Sequence, residues 1–253
     1  MSQSRDPETV LITGASSGIG RALALDYAAA GRRLVLQGRH RARLDGVAAD
    51  CRAGGADVAV EALDVTDRAA MARWIERADA RSPLDLVIAN AGVSGKSADD
   101  PDPLRTMFRV NVDGVLNTVE PVLPLLERRG RGHIAIMSSL AAFRGMPTAP
   151  GYTATKAAVR LYGEGLRGKL MADGVAVSVI CPGFVKTPLT DVNEFPMPLL
   201  MDPERAARII RRGLDRRAAR IAFPLRLYLL ARLVAALPPA WLDPVLQRFQ
   251  GKE

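Results

Sequence analysis

Cysteine is scarce in this 253-residue chain: Cys51 and Cys181 are the only two. Two cysteines in a chain of this length build neither a disulfide framework nor a metal site, so no metal is expected. Cys181 lies in the apolar run VAVSVICPG and reads as a buried thiol in a reducing compartment. No apolar run approaches the roughly 20 residues that a membrane span requires. The first ten residues, MSQSRDPETV, lack the apolar centre of a signal peptide, and a cytoplasmic location is the expectation. Aromatic residues make up 5% of the chain. The formal net charge is +8, but the basic residues are mostly arginines spread along the chain. They form no basic stripe interleaved with aromatics, so nucleic acid is not an expected partner.

A sizeable core is present instead: 48% of residues are hydrophobic and 25% are charged. About 250 residues fit one α/β core, and no composition break marks a second domain. We read one domain over 1–253, with a core of about 8–224 and a helical C-terminal extension over 225–253. Apolar runs alternate with helical patterns. Strands are expected at 9–14, 33–39, 57–65, 84–92, 132–139, 175–183 and 220–224. Helices are expected at 19–31, 41–53, 67–80, 103–129, 151–174 and 202–217. Strands that are apolar throughout are buried on both faces, as in a parallel sheet. Their alternation with helices predicts a doubly wound α/β sheet of about seven strands with helices on both faces.

TGASSGIG at 13–20 follows the first strand and opens the first helix. Gly14, Gly18 and Gly20 are spaced to allow a tight turn in which backbone N–H groups approach a pyrophosphate. The helix N-terminus adds partial positive charge. Ser16 and Ser17 add hydroxyl donors, and Ile19 completes the turn. At the end of the second strand, dinucleotide binders that use NAD place a carboxylate on the ribose 2′-OH. This chain has QGRHRAR there. Arg39 can bind a 2′-phosphate with two hydrogen bonds where a carboxylate would repel it, so NADP(H) is expected over NAD(H). The competing reading is that Arg39 begins a solvated helix.

Six motifs occur in one order: TGASSGIG, NAG at 90–92, NVDG at 111–114, SS at 138–139, YTATK at 152–156 and PGFVKT at 182–187. On these the chain resembles the short-chain dehydrogenase/reductase family over about residues 8–224. The resemblance implies a Rossmann-type oxidoreductase, homodimeric or homotetrameric, that moves a hydride between a nicotinamide and a carbonyl or alcohol carbon. It implies Tyr152 as general acid/base. Lys156, one helical turn away, would lower the phenol pKa and hold the nicotinamide ribose. Ser139 would bond the substrate oxygen, in preference to its neighbour Ser138, and Asn111 would hold a water beside the lysine. Asp64 and Val65 would contact the adenine, and Asn90, Ala91 and Gly92 would line its ribose. Pro182, Gly183, Val185 and Thr187 would cover the nicotinamide. Three residues depart from the family pattern: Thr155 stands for the usual serine before the lysine, Ala89 for a first asparagine, and Ser17 for a basic residue found in some NADP enzymes.

Two segments leave readings open. In PLTDVNEFPMPLLM at 188–201, the resemblance implies a lid. Its Phe195, Met197, Leu199, Leu200 and Met201 either line an apolar pocket or pack as an ordinary loop. The tail at 224–249 is apolar with interspersed arginines and is broken at Pro238-Pro239. Capping the pocket or packing on a second subunit is favoured there over peripheral membrane contact through 225–249. The expected activity is NADP(H)-dependent interconversion of a lipophilic carbonyl and its secondary alcohol. The alternatives are a broad reductase of small aldehydes and ketones, or a non-catalytic NADP(H)-binding sensor on the same fold.

Overall fold

The computed structural model describes residues 7–95, 100–191, 196–238, 240–242 and 244. Seven parallel strands form one sheet in the order β3-β2-β1-β4-β5-β6-β7. They are β1 (Thr9–Thr13), β2 (Arg33–Gly38), β3 (Asp57–Ala62), β4 (Leu86–Ala89), β5 (Gly132–Met137), β6 (Val175–Pro182) and β7 (Arg220–Phe223). The helices are α1 (Gly18–Tyr27), α2 (Arg41–Ala53), α3 (Arg68–Arg81), α4 (Pro103–Phe108), α5 (Gly114–Val119), α6 (Leu123–Arg129), α7 (Pro150–Leu170), α8 (Pro203–Asp215) and α9 (Leu225–Ala236). This is the doubly wound parallel sheet expected from the alternating pattern.

Every residue of β1 is buried, because helices cover both faces. Successive side chains of a strand point to opposite faces. Val10 and Ile12 enter the core built with α1, α2 and α8, while Leu11 enters the one built with α3, α5 and α7. The chain leaves β1 for β2 on one side and later for β4 on the other. That reversal opens a crevice at the carboxyl ends of these strands, where ligands bind in open α/β sheets.

The helix expected over 103–129 is not continuous. A π-helical turn, Arg109–Asp113, joins α4 to α5, and the chain turns at 120–122 before α6. Pro121 explains the second break, since proline has no N–H for the preceding turn; Pro124 sits in the first turn of α6, where it is tolerated. Strands β3, β4 and β5 end earlier than expected. Asp64, Val65, Asn90, Ala91, Gly92, Ser138 and Ser139 therefore lie in the loops beyond the strand ends, on the side where the crevice opens.

Candidate active site

The turn after β1 is fixed by its neighbours rather than by its own hydrogen bonds. Gly14 has φ +66, and a β-carbon there would stand 2.8 Å from the Ala91 Cα. A β-carbon on Gly20 would stand 2.2 Å from the Gly14 carbonyl oxygen. Only glycine allows α1 to start this close to β1. Asn90 Nδ2 donates to the carbonyls of Thr13 at 3.0 Å and Gly14 at 3.3 Å. The Asn90 and Ala91 amides donate to Thr13 Oγ1 at 3.1 and 3.3 Å. The Asn90 side chain, expected beside the adenosine ribose, is thus engaged in holding the turn. Gln37 completes the bracing: its Oε1 accepts from the Gly14 N–H at 3.1 Å and its Nε2 donates to the Leu63 carbonyl. Ser17 caps α1 in extended conformation without a side-chain cap bond, so it leaves the first-turn N–H groups, the kind of donors that suit an anion, without a cap from its own hydroxyl.

Arg39 follows directly. It is exposed and has no hydrogen-bond or ion-pair partner among the described residues. A β-carbon on Gly38 would meet Ser16 Oγ at 3.1 Å, which puts Arg39 next to the glycine-rich turn. Arg41, by contrast, is engaged: its Nε meets both carboxylate oxygens of Asp45, at 3.0 and 2.9 Å. Asp64 accepts from the Thr66 N–H at 2.8 Å, and Asn117 Nδ2 donates to the Val65 carbonyl at 2.9 Å. These bonds shape the loop after β3.

Ser139, Tyr152 and Lys156 converge at the ends of β5 and β6. Ser139 caps a short 3₁₀ turn at Leu140–Phe143 and accepts from the Ala141 N–H at 3.1 Å. It donates to the Pro182 carbonyl at 3.5 Å, and its hydroxyl is close enough to the Tyr152 phenol to favour the phenolate. Ser138 points elsewhere: it is buried and donates to the Lys156 backbone carbonyl at 2.8 Å. Of the two serines, Ser139 is the one that acts on the phenol. Lys156 is 3% exposed, and its Nζ donates to the Met137 carbonyl at 3.2 Å. The same Nζ stands 5.9 Å from the Tyr152 ring centroid. Fully buried Asn111 lies in the π-helical turn, a frequent feature of functional sites. Its Oδ1 accepts from the Val93 N–H at 2.8 Å, and its Nδ2 donates to the Val93 carbonyl at 2.9 Å and Thr155 Oγ1 at 3.1 Å. A β-carbon on Gly92 would meet Asn111 Oδ1 at 3.1 Å and Lys156 Nζ at 3.3 Å, so both side chains close on Gly92.

This architecture has relatives. Residues 8–195 match the sequence pattern of the short chain dehydrogenases. The chain belongs to the short-chain dehydrogenase family. This short-chain dehydrogenase is 40% identical over 246 residues to an uncharacterised oxidoreductase of Myxococcus xanthus, across 96% of this chain and 97% of that one. It is similar to the short-chain dehydrogenase of Sphingobium yanoikuyae in complex with NADPH: TM-score 0.78, 27% identity, 97% of this chain and 98% of the other. It is also similar to a short-chain dehydrogenase of Mycobacterium paratuberculosis bound to NAD: TM-score 0.73, 25% identity, 85% and 94%. The chain is an oxidoreductase of that family, whose cofactor is a nicotinamide dinucleotide.

The electrostatics of this short-chain dehydrogenase differ from expectation in one respect. The Tyr152 phenol is pushed above its ordinary pKa, because burial outweighs the hydrogen bond to Ser139. Lys156 was expected to lower it, but burial brings the Lys156 ammonium itself down to about 8. The ammonium is held by the Met137 carbonyl and not by the phenol oxygen. Two of its three N–H donors remain for a ligand. Thr155 keeps the hydroxyl of the family's serine and donates it to the Tyr152 carbonyl at 2.8 Å.

In the segment after β6, a β-carbon on Gly18 would stand 2.9 Å from Thr187 Cγ2, so Thr187 covers the start of α1. Gly183 donates to the Phe223 carbonyl at 2.7 Å. Val185, expected to face the nicotinamide carboxamide, buries its side chain in the core, as does Met201, so its backbone is the part left toward the crevice. Val185 and Met201 form an isolated parallel bridge that anchors the returning loop. Met201 is therefore core and not pocket lining, and Leu199 and Leu200 are exposed. Phe195 lies outside the described residues.

The sequence reading missed a cluster around Phe143, at the end of the turn that Ser139 begins. Arg160 and Arg220 stand over the Phe143 ring at 4.8 and 5.5 Å, and Tyr228 of α9 meets it edge-on at 5.6 Å between centroids. Glu164 joins both arginines, at 2.9 Å to Arg160 and 2.6 Å to Arg220. Arg220 also donates to the Tyr228 hydroxyl at 3.0 Å. The extension thus packs on the active-site turn. No helix among the described residues is long and apolar enough to cross a membrane.

Proposed function

We propose that this chain is an NADP(H)-dependent oxidoreductase of lipophilic carbonyls and secondary alcohols, with Tyr152 as general acid/base. The observation that carries the reading is the grouping of Tyr152 with a buried Lys156, whose Nζ stands 5.9 Å from the Tyr152 ring centroid, and with Ser139 at the end of β5. The residues fit the dinucleotide. Gly14 and Gly20 leave no room for a β-carbon, α1 has no side-chain cap, and Lys156 keeps unused donors for ribose hydroxyls. When bound, the nicotinamide supplies or accepts the hydride.

In the reductive direction, Ser139 donates to the substrate carbonyl oxygen and stabilises charge as it develops there. Tyr152 then gives its proton to that oxygen and is left as phenolate. The Lys156 ammonium, one helical turn away, offsets the burial that otherwise disfavours phenolate. Asn111 keeps one Oδ1 lone pair beside Gly92, where it can hold a water that returns the proton through Lys156. Oxidation runs the same steps backwards. Proton transfer by a positioned side chain contributes about 10²–10⁴-fold.

The similar structures include both an NADPH and an NAD complex; unpartnered Arg39 is what favours NADP(H). The apolar substrate is favoured by the surroundings of Tyr152 and Ser139. Leu104 and Met107 pack against Gly151, Leu227 packs against Gly183, and Phe143 ends the Ser139 turn. The test is oxidation of NADPH, with NADH alongside, over carbonyls from small polar ketones to steroids and long-chain ketones. Turnover with NADPH rising toward the apolar end supports the reading. Tight NADPH binding with no turnover across the panel would favour a sensor.

A further inference from the structure

Helix α9 turns its most apolar side to solvent. On the inner side, Tyr228 meets Phe143 and Leu227 lies 3.4 Å from where a Gly183 β-carbon would stand, yet no residue of α9 is fully buried. Outward, Leu225, Leu229, Leu230 and Leu233 are 54–65% exposed, and Trp241 just beyond is 70% exposed. Ordinary surface helices put polar residues on that side. At about 100° per residue, Leu225, Leu229 and Leu233 lie between Arg232 on one side and Arg226 on the other. From Leu225 to Leu242 there is no acidic residue. Arg226 has no partner among the described residues, and Arg232 meets only the Tyr228 phenol, at 3.3 Å.

We propose that this face docks on an anionic phospholipid surface. The leucines and Trp241 would enter the headgroup boundary while Arg226 and Arg232 meet lipid phosphates. Charge complementarity selects this occupant. An isologous contact with a second copy would set one arginine-edged stripe on another, with no carboxylate from either helix to meet them. The net charge of +8 favours an anionic surface for the same reason. Because α9 packs on the turn that Ser139 begins, docking would bring the catalytic rim to the membrane. That consequence deepens the lipophilic-substrate reading and rests on it; the docking does not.

The test is co-sedimentation of the full-length protein with vesicles of phosphatidylcholine, with and without phosphatidylserine, read without turnover. Wild type should pellet with the anionic vesicles, stay in solution with pure phosphatidylcholine, and be released as salt rises. Leu229→Glu/Leu233→Glu should abolish binding while leaving thermal stability, NADPH binding and sedimentation without vesicles unchanged. Arg226→Gln/Arg232→Gln should weaken binding about fivefold for each arginine. Wild type that ignores anionic vesicles would overturn the proposal, and so would a double-leucine variant that binds them as well as wild type. An oligomer that the double-leucine variant dissociates would make the face a contact between copies, and would also overturn it.

Discussion

Replacing Arg39 separates the two cofactors with a magnitude that the structure bounds. Arg39 has no competing carboxylate, so its full hydrogen-bonding capacity is available to a 2′-phosphate. A hydrogen bond between charged groups is worth about 1.5–3 kcal/mol. Exposure and salt screening hold a surface guanidinium to the low end of that range. About 1.4 kcal/mol is a factor of ten, so Arg39→Ala should raise the KM for NADPH about tenfold and leave that for NADH unchanged. The NADPH value for wild type should weaken as salt rises, and that for Arg39→Ala should be nearly flat. Arg41, already held by Asp45, is the internal control, and Arg41→Ala should shift NADPH by much less. The assay is initial-rate kinetics with each cofactor at two ionic strengths. Equal losses for NADPH and NADH in Arg39→Ala, or no loss for either, would refute the argument.

Two pH effects follow from burial. Lys156 is brought down to about 8, so it is charged below that pH and neutral above it. The kcat/KM for NADPH, which reports the free enzyme, should fall as pH rises through about 8, and a flat profile from neutral to strongly alkaline pH would contradict the assignment. His133, buried and bonded to Ser178 at 2.8 Å, is lowered to about 3, mainly by burial and then by the charges of Arg217 and Arg167. Below its ordinary value of about 6.5 the unfolded chain binds a proton that the folded chain refuses until about 3. Stability should therefore be lost as pH falls through that window, by up to about 1.4 kcal/mol per pH unit. Urea midpoints of His133→Gln should fall less steeply with acidification than those of wild type; parallel slopes would show that His133 does not titrate this way.

The sheet was legible because its strands are apolar on both faces, and buried strands allow little else. The glycine-rich turn and the convergence of Ser139, Tyr152 and Lys156 were legible because their spacing recurs within one family. Other features leave no such trace. The π-helical turn at Asn111 inserts one residue into a helix with no change of composition, while Pro121 announced the next break and was read past. Gln37 looked like one more strand residue, yet it holds the turn to Leu63. Phe143 draws partners from α7, β7 and α9, and such long-range pairing has no local pattern to read. Family position placed Val185 beside the nicotinamide, and loop character left Met201 open between pocket lining and packing. Only their burial against each other and the core shows that their side chains serve packing. Helical spacing shows the cation beside the phenol but not the burial that opposes it, and that burial raises the phenol pKa.

The central claim is that Tyr152 moves the proton. The most direct measurement is single-turnover carbonyl reduction by Tyr152→Phe, beside its affinity for NADPH. The ring and its packing remain, and only the hydroxyl is removed. The account predicts NADPH affinity within about twofold of wild type and a reduction rate lower by at least about 10². Reduction at the wild-type rate would remove Tyr152 from the role given to it here.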